Sequence, residues 1–144
     1  MSIDNLLARG ILEEQASSQK ELRDLLNIVD RDIKDSEVSG VSFDWQFGIA
    51  YNAALKLASI LVRGTGYRVK GGSHHMNTIA MIPQILGPDR KDDSEYLDAC
   101  RKKRNTLEYD LVGGATEADV MELREFIREF REDVLVWLTD KKLL

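Results

Sequence analysis

The densest run of groups able to grip phosphate or move protons is Asp98-Ala-Cys-Arg-Lys-Lys-Arg-Asn-Thr-Leu-Glu-Tyr-Asp110. Arginine offers a fork of N–H donors that matches two oxygens of a phosphate at once, while lysine contributes a point charge. In a helix, spacings of three and four residues set Arg104 on the same face as Cys100 and Leu107, an otherwise apolar stripe. A guanidinium turned toward packed neighbours is costly unless it is paired. Arg104 is therefore half of a structural ion pair, with Glu108 four residues on as its partner, or part of the lining of a polar cleft. Arg101, Asn105 and Tyr109 form a second polar row at four-residue spacing.

The other chemistry-bearing stretch is Gly64-Thr-Gly-Tyr-Arg-Val-Lys-Gly-Gly-Ser-His-His75. It is not a Walker-type phosphate loop, because no Gly-Lys-Ser or Gly-Lys-Thr leads into a helix, but Arg68 and Lys70 can hold an anion. His74 and His75 are the only histidines in the chain. Neighbours on a helix point in different directions and no third histidine or cysteine completes a set, so no metal site is expected. Either histidine can pack or cap the loop, or one can face Arg104 as a hydrogen-bonding or proton-transfer group.

Helices must position these residues. Ile3, Leu6, Leu7, Ile11 and Leu12 outline a short helix or docked arm interrupted by Gly10. Ser18 and Glu21 have capping-box spacing ahead of Leu22, Leu25, Leu26, Val29 and Ile33, which predicts a helix over roughly 18–36 with Asp30, Arg31 and Asp32 on its solvated face. A helix from Ser42 to about Arg63 carries Ala50, Ala53, Ala54 and Ala58, small residues that let a neighbour approach closely, so it is expected to be the central one. Phe43, Trp45, Phe47 and Tyr51 cluster at its start and read as core, with a partner surface as the alternative. Ser73 is expected to cap a helix over roughly 74–86, limited by Pro83 and ended by Gly87-Pro88. The Arg104 helix spans roughly 93–111. Thr116 caps the last helix, whose inner face runs from Val120 to Leu138 and whose Arg124, Arg128 and Arg131 alternate with acids on the outside.

No stretch alternates long enough to predict a strand, and there is no repeat or low-complexity segment. The expected fold is all-α, an up-and-down antiparallel bundle of four long helices plus a shorter one, forming a single domain over residues 1–144. With 43% hydrophobic and 31% charged residues the composition is that of a globular protein that needs no staples. The net charge of −5 argues against nucleic-acid binding driven by overall charge but leaves room for a local basic patch at Arg101 to Arg104. A single cysteine excludes a disulfide framework. With no signal-like start and no membrane-length apolar run, the expectation is a soluble, cytoplasmic protein without membrane contact.

Three stretches together resemble the HEPN superfamily, small all-α domains of prokaryotic toxin–antitoxin, defence and RNA-processing systems. They are Ala53-Ala-Leu-Lys-Leu-Ala58, Gly66-Tyr-Arg68 with His74-His75, and Arg101-Lys-Lys-Arg-Asn-Thr-Leu-Glu-Tyr109. Active members are metal-independent ribonucleases that pair an arginine and a following polar residue with a histidine shortly after, and they dimerise so that two motifs face one cleft. Arg104 and Asn105 match the first half; Tyr109, Asp110 and Leu111 stand where the histidine belongs. Tyrosine, with an ordinary pKa near 10, is a poor base at neutral pH. The resemblance therefore implies a cofactor-free homodimer, non-catalytic or divergent, that binds RNA, a nucleotide or a protein such as a cognate antitoxin. Arg101, Asn105, Arg68 and His74 would serve as ligand-binding residues. The alternative is an endoribonuclease using Arg104 with His75 or Tyr109, and the third reading is a structural bundle whose polar row only fixes packing.

Overall fold

A computed structural model describes residues 2–109 and 114–144, with backbone only at Glu108 and Tyr109. The fold is mostly helical, with one very small sheet. Its long helices are α2 (Gln19–Ser36), α3 (Phe43–Gly64), α6 (Lys91–Tyr109) and α7 (Glu117–Asp140); α1 (Ile3–Ala8), α4 (His74–Ala80) and α5 (Ile82–Leu86) are short.

Local chemistry sets the helix starts. The hydroxyls of Ser18 and Ser42 accept the N–H groups of Glu21 and Trp45, and Thr116 forms a reciprocal capping box with Asp119. At α2 the expected box is only half made, because the Glu21 carboxylate reaches Arg63 at 2.9 Å across to α3. The helix expected over 74–86 is divided at Met81, and Ser73 makes no side-chain cap. Pro83 has no N–H to give the carbonyl four residues back, that of Ile79. The Ser94 hydroxyl, on α6, donates to that carbonyl at 3.0 Å. This bond ties α4 to α6.

α3 is the hub, packing against α2, α6 and α7. Ala50, Ala53, Ala54 and Ala58 are all at most 1% exposed, so the neighbouring helices close onto a side with almost no side-chain depth. Leu57, Ile60 and Leu61 complete the α3 face, and Leu22, Val29, Leu97, Leu123, Phe130 and Val134 meet it from the other helices. At the end of α3 a Cβ on Gly64 would lie 2.6 Å from Cζ3 of Trp137, so any larger residue there forces the Trp137 ring to shift.

The sheet was not foreseen. Strand β1 (Leu12–Glu14) pairs antiparallel with β2 (Tyr67–Val69), Leu12 opposite Val69 and Glu13 opposite Arg68. Three residues per strand are too few for a period of two to stand out from the sequence. Leu12 and Val69 turn inward with Leu6, Val62 and Met81 to form a second apolar cluster, and Arg68 and Lys70 pair with Glu13 on the outside.

Several charges expected to face solvent instead tie helices together. Asp32 is buried and bonded to Lys56 of α3 at 2.5 Å and to Arg31 at 3.1 Å. Arg131 grips Asp30 through Nε and Nη2, at 2.8 and 3.1 Å, and Arg124 donates to the Ser36 carbonyl and to Oε1 of Gln46. Helical periodicity places such residues at the edge of the buried stripe, where long side chains reach the next helix. The aromatic cluster divides: Phe47 and Tyr51 are buried, whereas Trp45 is 68% and Phe43 42% exposed. No helix among the described residues is long and apolar enough to cross a membrane.

Candidate functional site

The α3, α4 and α6 helices converge on Tyr51. Its ring is fully buried, and a buried phenol needs a partner for its hydroxyl. That partner is Nδ1 of His75, 3.3 Å away, on the first turn of α4. The guanidinium carbon of Arg104, on α6, lies 5.9 Å from the centre of the same ring, within reach of a cation–π attraction. Tyr51 thus joins Arg104 to His75. The Ser94 to Ile79 bond and the antiparallel strands fix the approach of α4 that makes this possible.

The electrostatics follow from the packing. Burial pushes the Tyr51 phenol up to about 12, against the downward pull of Arg101 and Arg104, so it stays neutral at neutral pH. The His75 imidazole is held below its ordinary value, first by burial and then by the positive charges of Arg104, His74 and Arg101. A neutral His75 has two tautomers with different capabilities. If Tyr51 donates to Nδ1, then Nε2 carries the proton and can donate to an anion. If Nδ1 donates to the phenol oxygen, Nε2 is an acceptor able to take a proton from a substrate. Cys100, close by on α6, is pushed up to about 11 by burial and is an inert thiol at neutral pH.

Beside this group a cleft of about 320 Å³ opens between α3 and α6. Trp45, Gly48, Ile49 and Asn52 from α3 and Arg104 and Leu107 from α6 form its walls. An exposed indole next to a guanidinium offers an aromatic face, a cation and, in Asn52, a side-chain amide that can both donate and accept. The acid at the rim, Asp44, is engaged structurally and accepts the N–H of Ala115 at 3.0 Å.

The expected site residues are distributed as follows. Arg104 and His75 meet at Tyr51, and Arg101 lies near enough to act on both Tyr51 and His75 while its Nε donates to Asp98 at 2.8 Å. Asn105 is half-buried and is not among the cleft-lining residues. Arg68 and His74 are not at this cleft; they line a separate cavity with Arg63 and Thr78. The side chains of Tyr109 and Glu108 lie outside the described residues, as do Asp110 and Leu111. Among the described residues no group of three or more His, Cys, Asp or Glu side chains is placed to hold a metal ion.

Sequence reasoning read Trp45 and Tyr51 as core aromatics, with a partner surface as the alternative, and did not single out Asn52. The available signal was a tyrosine in an alanine-rich central helix, whose hydroxyl could not be left unsatisfied. No family model, curated protein or solved structure matches the chain.

Proposed function

We propose that the protein is a divergent HEPN-like helical domain that binds single-stranded RNA at the Arg104 cleft. The four long helices are read as the up-and-down bundle of that superfamily. The observation that carries the proposal is the juxtaposition of an exposed Trp45 ring, Asn52 and Arg104 around one open cleft, with Arg101 and His75 alongside. Single-strand binders combine a stacking platform for a base with cations along the backbone; among the described residues this cleft offers one aromatic face and one cation, Arg104, at the scale of one nucleotide. The acidic net charge does not by itself oppose it, since Arg101 to Arg104 place four cations in one run, three of them paired to Asp98 or Asp119. Homodimerisation and a role with a cognate antitoxin or in defence belong to the same proposal. The apolar side chains of Val38, Val41 and Phe43, exposed at the α2–α3 junction, supply a surface for a second copy.

The test is fluorescence anisotropy with a labelled 2′-O-methyl RNA, which binds but cannot undergo attack by its own 2′-hydroxyl. Trp45→Ala should weaken binding by about 5- to 150-fold, the effect of losing one base stack. Arg104→Ala should lower the slope of log affinity against log salt by about 0.7, one phosphate contact on a single strand. Affinity and salt slope equal to wild type in both variants, with helical content intact, would reject RNA binding at this cleft.

A second reading, endoribonuclease activity, is favoured by the Tyr51 bond to His75. With Nε2 unprotonated, His75 would take the proton of a ribose 2′-hydroxyl as that oxygen attacks phosphorus. The 5′-oxygen of the next nucleotide would leave with a proton from water or from the second copy, giving a 2′,3′-cyclic phosphate, and Arg104 would stabilise charge on phosphorus. Unmodified RNA incubated without added metal decides this. Cleavage lost in His75→Ala and Arg104→Ala supports the enzyme; equal or absent cleavage in wild type and both variants removes it.

A further inference from the structure

On the α2–α3 side of α4 lies a second cavity, of about 250 Å³, that shares no lining residue with the Arg104 cleft. Its polar lining consists of Ser59 and Arg63 from α3, Arg68 from β2, and His74 and Thr78 from α4. We infer that this cavity is a binding site for a phosphate group, as the free ion or as a phosphate monoester.

Among the described residues the lining is rich in donors and contains no carboxylate. Arg63 uses Nε on the Ser17 hydroxyl and Nη2 on Glu21, and Arg68 uses Nε and Nη2 on Glu13. A guanidinium has five N–H donors, so each arginine keeps donors beyond these contacts. The acids that hold the two arginines stand outside the lining and fix the guanidinium planes without filling the space between them. Such restraint lowers the ordering cost of binding.

Thr78 points to a ligand independently. It is 1% exposed, and its hydroxyl oxygen has no hydrogen-bond partner among the described residues. A buried hydroxyl is nearly always satisfied, and a threonine within a helix ordinarily bonds a carbonyl of the preceding turn. Here Thr78 lines the cavity with its hydroxyl oxygen turned in from the open space. A tetrahedral oxyanion accepts hydrogen bonds in several directions at once. It would take the remaining arginine N–H groups, a ring N–H of His74 and, once a side-chain rotation turns it toward the cavity, the Thr78 hydroxyl together.

The experiment is calorimetric titration of the whole chain with inorganic phosphate and, separately, with a nucleoside 5′-monophosphate, using wild type, Thr78→Val, His74→Gln and Arg104→Ala. Wild type should give saturable heat with phosphate. Thr78→Val, nearly isosteric, should weaken that binding about tenfold, the scale of one hydrogen bond to a charged group, and leave the melting temperature without phosphate unchanged or raised. His74→Gln should weaken it as well, and Arg104→Ala should leave it as in wild type. Tighter binding of the monophosphate than of phosphate would assign the site to esters, and equal binding to the free ion. Three results would each overturn the inference: no saturable heat into the tens of millimolar, a Thr78→Val titration identical to wild type, or binding lost only in Arg104→Ala. The last would assign the anion to the RNA cleft, so failure here is separable from failure of the RNA-binding proposal.

Discussion

Tyr51→Phe removes one oxygen and nothing else from the centre of the candidate site. The ring over which Arg104 sits at 5.9 Å remains, and the hydroxyl that meets His75 Nδ1 at 3.3 Å is lost. A net hydrogen bond contributes about 0.5–1.5 kcal/mol, and a 3.3 Å separation puts this one in the lower half, about 0.5–1 kcal/mol. At about 3–4 °C per kcal/mol for a domain of this size, the melting midpoint should fall by about 2–4 °C. Because Tyr51 is fully buried, Tyr51→Ala would add the loss of the ring and cost about 3–5 kcal/mol. The midpoint alone does not identify the partner, so the informative assay is a pair of double-mutant cycles by urea unfolding. Tyr51→Phe combined with His75→Ala should show a coupling of about 0.5–1 kcal/mol. Combined with Arg104→Met, which keeps an aliphatic stem, it should show coupling within about 0.3 kcal/mol of zero, because phenylalanine retains the ring face. Coupling to Arg104 with none to His75 would refute the bridge through Tyr51.

Two further outcomes follow from the same contacts. Gly64→Ala sets a methyl 2.6 Å from the Trp137 ring, and overpacking of this kind costs about 1–3 kcal/mol; thermal unfolding should register the loss, and Trp137→Leu should recover part of it. Since the His75 ring is held below its ordinary value, the unfolded chain takes up a proton there first as pH falls. The stability from His75 is therefore complete above about pH 6.5, declines as pH drops through the folded value and is then level. Urea midpoints of wild type and His75→Gln should converge over that window, with Arg104, Arg101 and His74 as the charges facing the ring; a difference that does not change with pH contradicts the assignment.

The helices were readable because their signals are local. Ser18, Ser42 and Thr116 announce their caps within three residues, and the alanines of α3 announce a buried face by their spacing. What failed was non-local. The β1–β2 pair joins residues some fifty positions apart through strands of three residues each. Asp32, Arg124 and Arg131 look like surface charges until the opposite helix is in place. Arg104 and His75 were both legible as chemistry-bearing residues, but their relation depends on Tyr51, which declared itself only as an aromatic among core aromatics. Arg68 and His74 were legible as ligand-binding residues alongside Arg101 and Asn105, but their place at a cavity apart from Arg104 was not, since it depends on how β2 and α4 pack against α3.

The alanine face of α3 has a bearing on how this protein tolerates change. Ala50, Ala53, Ala54 and Ala58 carry no functional group, yet they set how near the partner helices lie to α3, and with that the gap in which an arginine can rest against the Tyr51 ring. A methylene added there has nowhere to go except into helix separation. On the RNA-binding proposal, substitutions to valine or leucine at these four positions should score alongside those at Arg104 in a saturation scan read out by RNA retention, and in a scan read out by abundance they should score worse. Chemically silent positions would then mark the dimensional tolerance of the cleft as sharply as the polar residues that line it.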